Sequence, residues 1–405
     1  VGVSAPLRIG IDLASWINCR GYGRFTRELI AAVIRRDTRN RYVFFLDREA
    51  AAAPDIPAGP DRVIIATSVA PTRAASADGS RSVADLLRMS LAVARRPLDL
   101  FFFPTNYTYF PMLTATPVIV AIHDATTALH PELIFPSARS RFFWRAKEWL
   151  SIRQARALVT VSENAKDAVA RNLGVARERI SVLPEAASPC FRARSLGRAE
   201  IERLRATGAS PENGYVLHVG GVSPHKNLPR LVRAFAAIAR DPRHAQLRLV
   251  LAGDTGGQDV FYSSLAEVRE LVERERLADR VVLTGYVEDE LLALLYNGAT
   301  ALAFPSFNEG FGLPAVEAMA SGTPVAASRA GSLPEVLGDA AVFFDPANEE
   351  EMTRVLRDIV ENAGLRARLR DAGLARAREF SWDRAAEILI ALFERTARRG
   401  RVNGA

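Results

Sequence analysis

Short apolar runs alternate along this chain with amphipathic stretches of helical spacing. The stretch 7–13 reads as a buried strand, Gly21-Tyr22-Gly23 as a turn, and 24–34 as a helix. Further strands are expected at 42–46, 62–65, 98–102, 117–122, 157–161 and 180–183, with helices at 83–94, 137–156 and 164–172. The segments 51–60 and 70–81 are rich in Pro, Ala, Ser and Gly and read as loops. After a polar stretch, 188–214, taken as a linker with a short helix, the alternation restarts. Strands are expected at 215–219, 247–252, 281–283, 299–304, 324–327 and 342–344, and helices at 228–239, 261–274, 288–297, 313–321 and 349–361. Strands alternating with helices point to parallel sheets covered by helices. The chain therefore reads as an α/β protein of two doubly wound, Rossmann-like domains in series. The expected ligand site lies beyond the carboxyl ends of the strands, in the cleft where the domains face each other.

Composition narrows the class. With 405 residues, 49% hydrophobic and 24% charged, there is material for two ordinary cores, and disorder, collagen and coiled coil are excluded as the main architecture. Cys19 and Cys190 make neither a disulfide framework nor a Cys-x-x-Cys pair, which suits a reducing cytoplasm. No apolar run approaches the roughly 18–20 residues of a membrane span. Residues 1–8 lack the pattern of a signal peptide, and no Met stands at the start. The expected location is cytoplasmic, either free or peripheral at the inner face of the plasma membrane.

Charge divides the chain unevenly. The net +7 comes from 28 Lys and Arg against 17 Asp and Glu in residues 1–198, and 25 against 29 in residues 199–405. A nucleic acid, an acidic membrane or a phosphorylated substrate would each suit the basic half. Aromatic and basic residues do not interleave into an evident single-strand platform and no DNA-reading motif appears, so nucleic acid is the weakest of the three. Only Lys147, Lys166 and Lys226 are lysines among 53 cations. Coding bias accounts for such a ratio, yet each lysine left stands out, because the two cations bind anions differently.

The densest chemistry lies in Phe304-Pro-Ser-Phe-Asn-Glu-Gly-Phe-Gly-Leu-Pro-Ala-Val-Glu-Ala-Met-Ala-Ser-Gly-Thr-Pro-Val325. A strand runs through a loop holding Ser306, Glu309, Gly310, Phe311 and Gly312 into a helix beginning near Leu313. Unpaired N–H groups and the dipole make that helix start a seat for phosphate, and the glycines admit a ligand to the backbone. Glu309 is placed to reach sugar hydroxyls, and Glu317, a turn further on, to accept a vicinal diol. The plainer alternative is a capped helix with an exposed Glu.

Glu309-x7-Glu317 in this setting resembles the signature of the family 4 glycosyltransferases ("group 1" transferases), retaining enzymes of GT-B fold. The resemblance implies that Glu309 contacts the donor sugar, that Glu317 binds the nucleotide ribose, and that Gly310, Phe311, Gly312 and Leu313 hold the diphosphate and sugar. Val219-Gly-Gly-Val-Ser-Pro-His-Lys-Asn227 resembles a second family motif, with Lys226 as the cation on the leaving diphosphate. The common pattern has Arg where Gly221 stands. The Lys226-Asn227 ending is closer to a mannosyltransferase-like subgroup, and His225 and Arg24 are candidates for the second phosphate cation. Gly253 and Tyr286-Val287 resemble further donor positions, the latter beside the base. In the first half, Gly23 and Arg24 resemble the family's Gly loop, and His123 stands where a His near the transferred sugar and acceptor is common. Phe380-Ser-Trp382 resembles the crossover that returns a last helix to the first domain.

The expected organisation is an acceptor-side domain at 1–198, joined by a last helix at 381–397, and a donor domain at 211–380. The expected reaction is retaining, metal-independent sugar transfer from a GDP- or UDP-sugar, GDP-mannose by subgroup, with no further cofactor. The acceptor is expected to be a glycan or lipid-diphosphate-linked, as in surface polysaccharide assembly. No Asp-x-Asp metal clamp occurs, and no carboxylate stands out as a nucleophile for a two-step route, so front-face transfer is expected. An epimerase or phosphorylase of related fold is the alternative.

The basic helix at 139–156 needs separate reading. On a helical wheel Phe142, Phe143, Ala146, Trp149 and Leu150 share a face expected to enter the core. Arg141, Trp144, Arg145 and Lys147 then face outward. An exposed Trp among cations would suit a membrane interface or a lipid-diphosphate acceptor, and a solvated basic helix is the plainer alternative.

Overall fold

The computed structural model describes residues 5–71, 82–254 and 264–402. The loop expected at 70–81 and the start of the helix expected at 261–274 lie largely outside them. The chain forms two compact units, Val1–Glu185 with Ser381–Ala405, and Ala186–Phe380.

The first unit holds a seven-stranded sheet: β1 (Arg8–Asp12), β2 (Arg41–Asp47), β3 (Asp61–Ile65), β4 (Leu100–Phe103), β5 (Val118–Ala121), β6 (Ala155–Thr160) and β7 (Ile180–Val182). Its order is β3-β2-β1-β4-β5-β6-β7, with every pairing parallel. Strands flanked by helices carry continuous apolar runs, as in the Leu-Phe-Phe-Phe of β4 and Val-Ile-Val-Ala of β5, all buried. Phe101, Phe103 and Phe110 pack edge to face at the centre of the core. The last helix, Trp382–Val402, belongs to this unit. Its Asp383 pairs with Arg35 and Arg36, Glu387 pairs with Arg36, and Phe393 meets Phe102 with ring centroids 5.6 Å apart.

The second unit repeats the plan with β8 (Tyr215–Val219), β9 (Arg248–Ala252), β10 (Val281–Gly285), β11 (Ala301–Phe304), β12 (Val325–Ser328) and β13 (Ala341–Phe344). The order is β10-β9-β8-β11-β12-β13, again all parallel. Strand order reverses between β1 and β4 in one sheet and between β8 and β11 in the other. Loops part at these points and leave a crevice at the carboxyl ends of the strands.

Two local expectations are corrected. Gly21-Tyr22-Gly23 is not a turn before a helix: the helix runs Gly21–Arg36, with Gly23 N–H donating to Arg20 O at 3.0 Å. A Cβ on Gly23 would stand 2.0 Å from Asn18 O, so the glycine permits close approach of the helix to the preceding loop.

The wheel of the basic helix, Ala138–Gln154, is reversed. Trp144, Ser140, Glu148 and Ser151 are buried, whereas Phe142, Phe143 and Trp149 are exposed. Trp144 packs against Tyr107 and Phe135, ring centroids 5.0 and 6.1 Å away, with Lys147 Nζ 3.7 Å over its ring. The indole, not the phenylalanines, fills the slot beside the loop after β4.

Candidate active site

Two loops of the second unit, one after β8 and one after β11, are stitched together at the point where strand order reverses. After β8 the chain passes Gly220 and Gly221, makes a 3₁₀ turn over Pro224–Lys226, and enters the helix Leu228–Ala239 through Asn227, which is left-handed at φ 59°. The Asn227 side chain is committed to this scaffold. It donates to Pro305 O at 3.1 Å and Pro346 O at 2.8 Å, and accepts from Arg230 at 3.1 Å. Phe307 N–H donates to His225 O at 2.8 Å. Held in this way, Lys226 Nζ donates to Glu309 Oε1 at 2.6 Å. The two side chains, 17% and 14% exposed, form a nearly desolvated ion pair across 83 positions of sequence.

Beyond Glu309, Gly312 turns the chain at φ 90° into the helix Leu313–Ala320, which carries Pro314 in its first turn. A Cβ at Gly312 would meet Leu333 Cδ2 at 2.5 Å. Phe311 is buried against Phe380, and Leu313 is buried. Ser306 is also buried, and its carbonyl accepts from Ser328 Oγ. The helix start is thereby fixed: Pro314 carries no N–H, and Ala315 N–H donates to Gly312 O at 2.9 Å.

Glu317 is 2% exposed, and its Oε2 accepts from Tyr296 OH at 3.0 Å. At the neighbouring strand, a Cβ on Gly253 would stand 1.8 Å from Gly220 O, so the loop after β9 lies directly on the glycine turn after β8. Tyr286 and Val287 line a pocket of about 600 Å³ with Arg203, Thr284 and Glu290. Lys226, Glu309 and Glu317 are not among its lining residues, so this hollow is separate from the ion pair. Gly221 has open space around it: nothing lies within 4 Å of where a Cβ would stand.

Three residues beside this site were not legible in the sequence. His218, wholly buried in β8, has Nδ1 3.1 Å from Ala303 O; a carbonyl only accepts, so Nδ1 carries the proton. Burial pushes its pKa down to about 4, so the ring is neutral, with unpaired Nε2 beside Gly220. A histidine inside an apolar strand was the one available signal. Tyr296 gave none. Nor did Gly331, at φ 57°, where a Cβ would press on Glu309 N and O at 2.7 Å each. The next residue, Ser332, donates its N–H to Glu309 O at 3.1 Å, completing a clamp on the Glu309 backbone.

In the first unit, Gly23 and half-buried Arg24 sit in the first turn after β1, and His123 follows β5. His123 Nε2 donates to Pro104 O at 2.9 Å, its Nδ1 stands 3.9 Å from Glu185 Oε1, and the edge of Phe25 covers the ring. Burial lowers its pKa against the opposing pull of the Pro104 bond, so the ring is neutral near pH 7.

Known proteins place this architecture. Residues 200–376 match the model of "Glycosyl transferases group 1", and residues 20–188 that of "Glycosyltransferase Family 4". O-antigen chain mannosyltransferase B of Escherichia coli is 31% identical over 265 residues, 65% of this chain and 67% of that protein. This chain is a family 4 glycosyltransferase. The serotype-specific mannosyltransferase WbdA of Escherichia coli is 28% identical over 280 residues; the match covers 68% of the glycosyltransferase but 33% of WbdA. In structure, Anabaena HepE, crystallised with UDP and glucose, superposes with a TM-score of 0.72 at 19% identity, covering 96% of this chain and 99% of HepE. The fold of the glycosyltransferase is thus GT-B, two parallel-sheet Rossmann-like units.

Proposed function

We propose that this glycosyltransferase transfers mannose from GDP-mannose, with retention at the anomeric carbon, to a glycan or lipid-diphosphate-linked acceptor in surface polysaccharide assembly. The observation that carries the reading is the Lys226–Glu309 pair beside the start of Leu313–Ala320. A cation and a helix N-terminus converge where a leaving diphosphate is neutralised, next to a carboxylate able to accept sugar hydroxyls. The mannose assignment draws on the names of the E. coli relatives and on the Lys226-Asn227 ending.

In this reading the donor separates the ion pair. Lys226 turns to the β-phosphate, Glu309 accepts hydrogen bonds from the sugar, and Glu317, held by Tyr296, accepts the ribose hydroxyls. Gly310, Phe311, Gly312 and Leu313 supply backbone contacts, and Gly253 keeps the neighbouring loop close. Tyr286 and Val287 are assigned to the base. The bond from the anomeric carbon to the phosphate oxygen breaks, the acceptor oxygen bonds on the same face, and the acceptor proton passes to the departing diphosphate. Lys226 and the helix start stabilise the charge that develops, so the reaction needs no divalent cation. On the first unit the acceptor is assigned to the carboxyl ends of β1, β4 and β5, where Gly23, Arg24 and His123 stand.

Thermal shifts with GDP and UDP, followed by NMR of the product's anomeric configuration in chelator, test the reading. Stabilisation by GDP over UDP and an α-mannoside formed without metal are expected. No response to either nucleotide overturns it, and an inverted product overturns the retaining mechanism.

A further inference from the structure

The helix Ala138–Gln154 turns three of its four aromatic residues outward. Phe142 is 68% exposed, Phe143 47% and Trp149 61%, although the same helix buries two serines and a glutamate. Burying the apolar face would have been the default for a surface helix. The exposed positions on this helix hold only Ala, Phe, Trp and Arg: Ala138, Arg139, Arg141, Phe142, Phe143, Arg145, Ala146, Trp149 and Arg153. Arg156 continues the exposed basic row one residue into β6. The helix's one acidic residue, Glu148, is buried, so no carboxylate of this helix stands on its exposed face.

The guanidinium of Arg139 lies 5.7 Å from the centre of the Phe143 ring and that of Arg153 5.6 Å from Trp149. Each pair joins an apolar ring to a cation, the combination that suits the boundary between acyl chains and anionic headgroups. None of the described helices is long and apolar enough to cross a membrane, so any bilayer contact of theirs lies in the interface plane.

We propose that the exposed face of Ala138–Gln154 docks on an anionic lipid bilayer, with Phe142, Phe143 and Trp149 in the headgroup–acyl boundary and the arginines on lipid phosphates. A bilayer fits this face better than a protein or a nucleic acid. It bears no Asn, Gln, Ser or Tyr side chain to give directional recognition of a partner, and three large rings without polar handles on two of them have no place on a phosphate backbone. The surface stands independently of the sugar chemistry, since vesicle binding needs no donor.

The tryptophans give a direct probe. Trp16, Trp144 and Trp382 are buried, and Trp149 alone is exposed. Phosphatidylcholine vesicles containing phosphatidylglycerol are titrated into the full chain, with sedimentation and tryptophan emission as readouts. Binding with a blue shift is expected, weakening with salt and absent with phosphatidylcholine alone. Each arginine lost should cost about fivefold in partitioning, so R139Q/R145Q/R153Q should lose about a hundredfold. F142S/F143S/W149S should not sediment, and W149F should sediment without the blue shift. All seven substitutions fall on exposed side chains, and unchanged thermal midpoints establish folding. The proposal is overturned if wild type does not bind anionic vesicles, if the triple-serine variant binds like wild type, or if duplex DNA displaces the protein from vesicles at equal phosphate.

Discussion

Lys226 and Glu309 neutralise each other across a 2.6 Å hydrogen-bonded ion pair. Each keeps the other's charge compensated in a mostly buried site, and in the proposed function each is released when a diphosphate and a sugar arrive. Lys226→Ala should therefore lower turnover by about 10²–10³-fold, the scale of removing one preorganised charge-stabilising group. It should leave the cooperative unfolding transition in place. Steady-state transfer and a thermal melt of the same preparation check this; near-normal turnover would remove Lys226 from the mechanism.

The clamp on Glu309 gives a second prediction. Gly331→Ala places a Cβ against Glu309 N and O in a left-handed backbone position. About 1–3 kcal/mol of stability should be lost to strain. Turnover should fall at least about tenfold, because misplacement near 1 Å costs that much or more. An unchanged rate in a folded variant would show that the Glu309 backbone position does not matter.

Tyr296 orients Glu317 through a buried hydrogen bond of 3.0 Å. Tyr296→Phe removes the donor and keeps the ring. A hydrogen bond to a charged group contributes about 1.5–3 kcal/mol. Nucleotide affinity measured by calorimetry should weaken about tenfold, with kcat at saturating donor little changed. A fall in kcat at unaltered affinity would move Glu317 away from the ribose.

Gly221 stands where the family commonly has Arg, and the space around it is open. Gly221→Arg should fold with stability within about 0.5 kcal/mol of wild type. If the loop faces the diphosphate, binding of GDP or UDP should tighten at low salt and the gain should vanish at high salt. Equal affinity at both salt concentrations would mean that position 221 points away from the phosphates.

Glu148 gives a pH signature. Burial pushes its carboxyl up to about 7, above the ordinary 4.5, with Lys147 opposing the shift. A raised folded-state pKa contributes stability that is fully present below about pH 4.5 and is lost as pH rises through 7. The loss amounts to about 3 kcal/mol at about 1.4 kcal/mol per unit. Glu148→Gln should therefore melt higher than wild type at pH 8 and about equally at pH 4. Parallel pH dependence of the two melting curves would assign the effect to other groups.

Much of the proposed donor site is legible in the sequence. Glu309, Gly312 and Glu317 share one uninterrupted stretch, and Lys226 follows a strand–glycine turn, so local spacing alone suggested phosphate and sugar chemistry. Tyr296, Gly331 and His218 were not legible, because each acts across the fold. Tyr296 reaches Glu317 over 21 positions, and Gly331 matters only because its α-carbon lies against the Glu309 backbone.

The sequence by itself determined the alternation of apolar strands and amphipathic helices, and with it two parallel sheets whose strand ends carry the glycine loops. It also determined the excess of basic over acidic residues in the first half. Tertiary structure decided which face of Ala138–Gln154 is buried. Periodicity marks two faces of a helix but does not say which slot the neighbouring elements leave open. Here Tyr107 and Phe135 form a slot that accepts the Trp144 indole, with Lys147 lying over the ring. Small Ser140 and Ser151 complete the buried face, and Phe142, Phe143 and Trp149 are left outside.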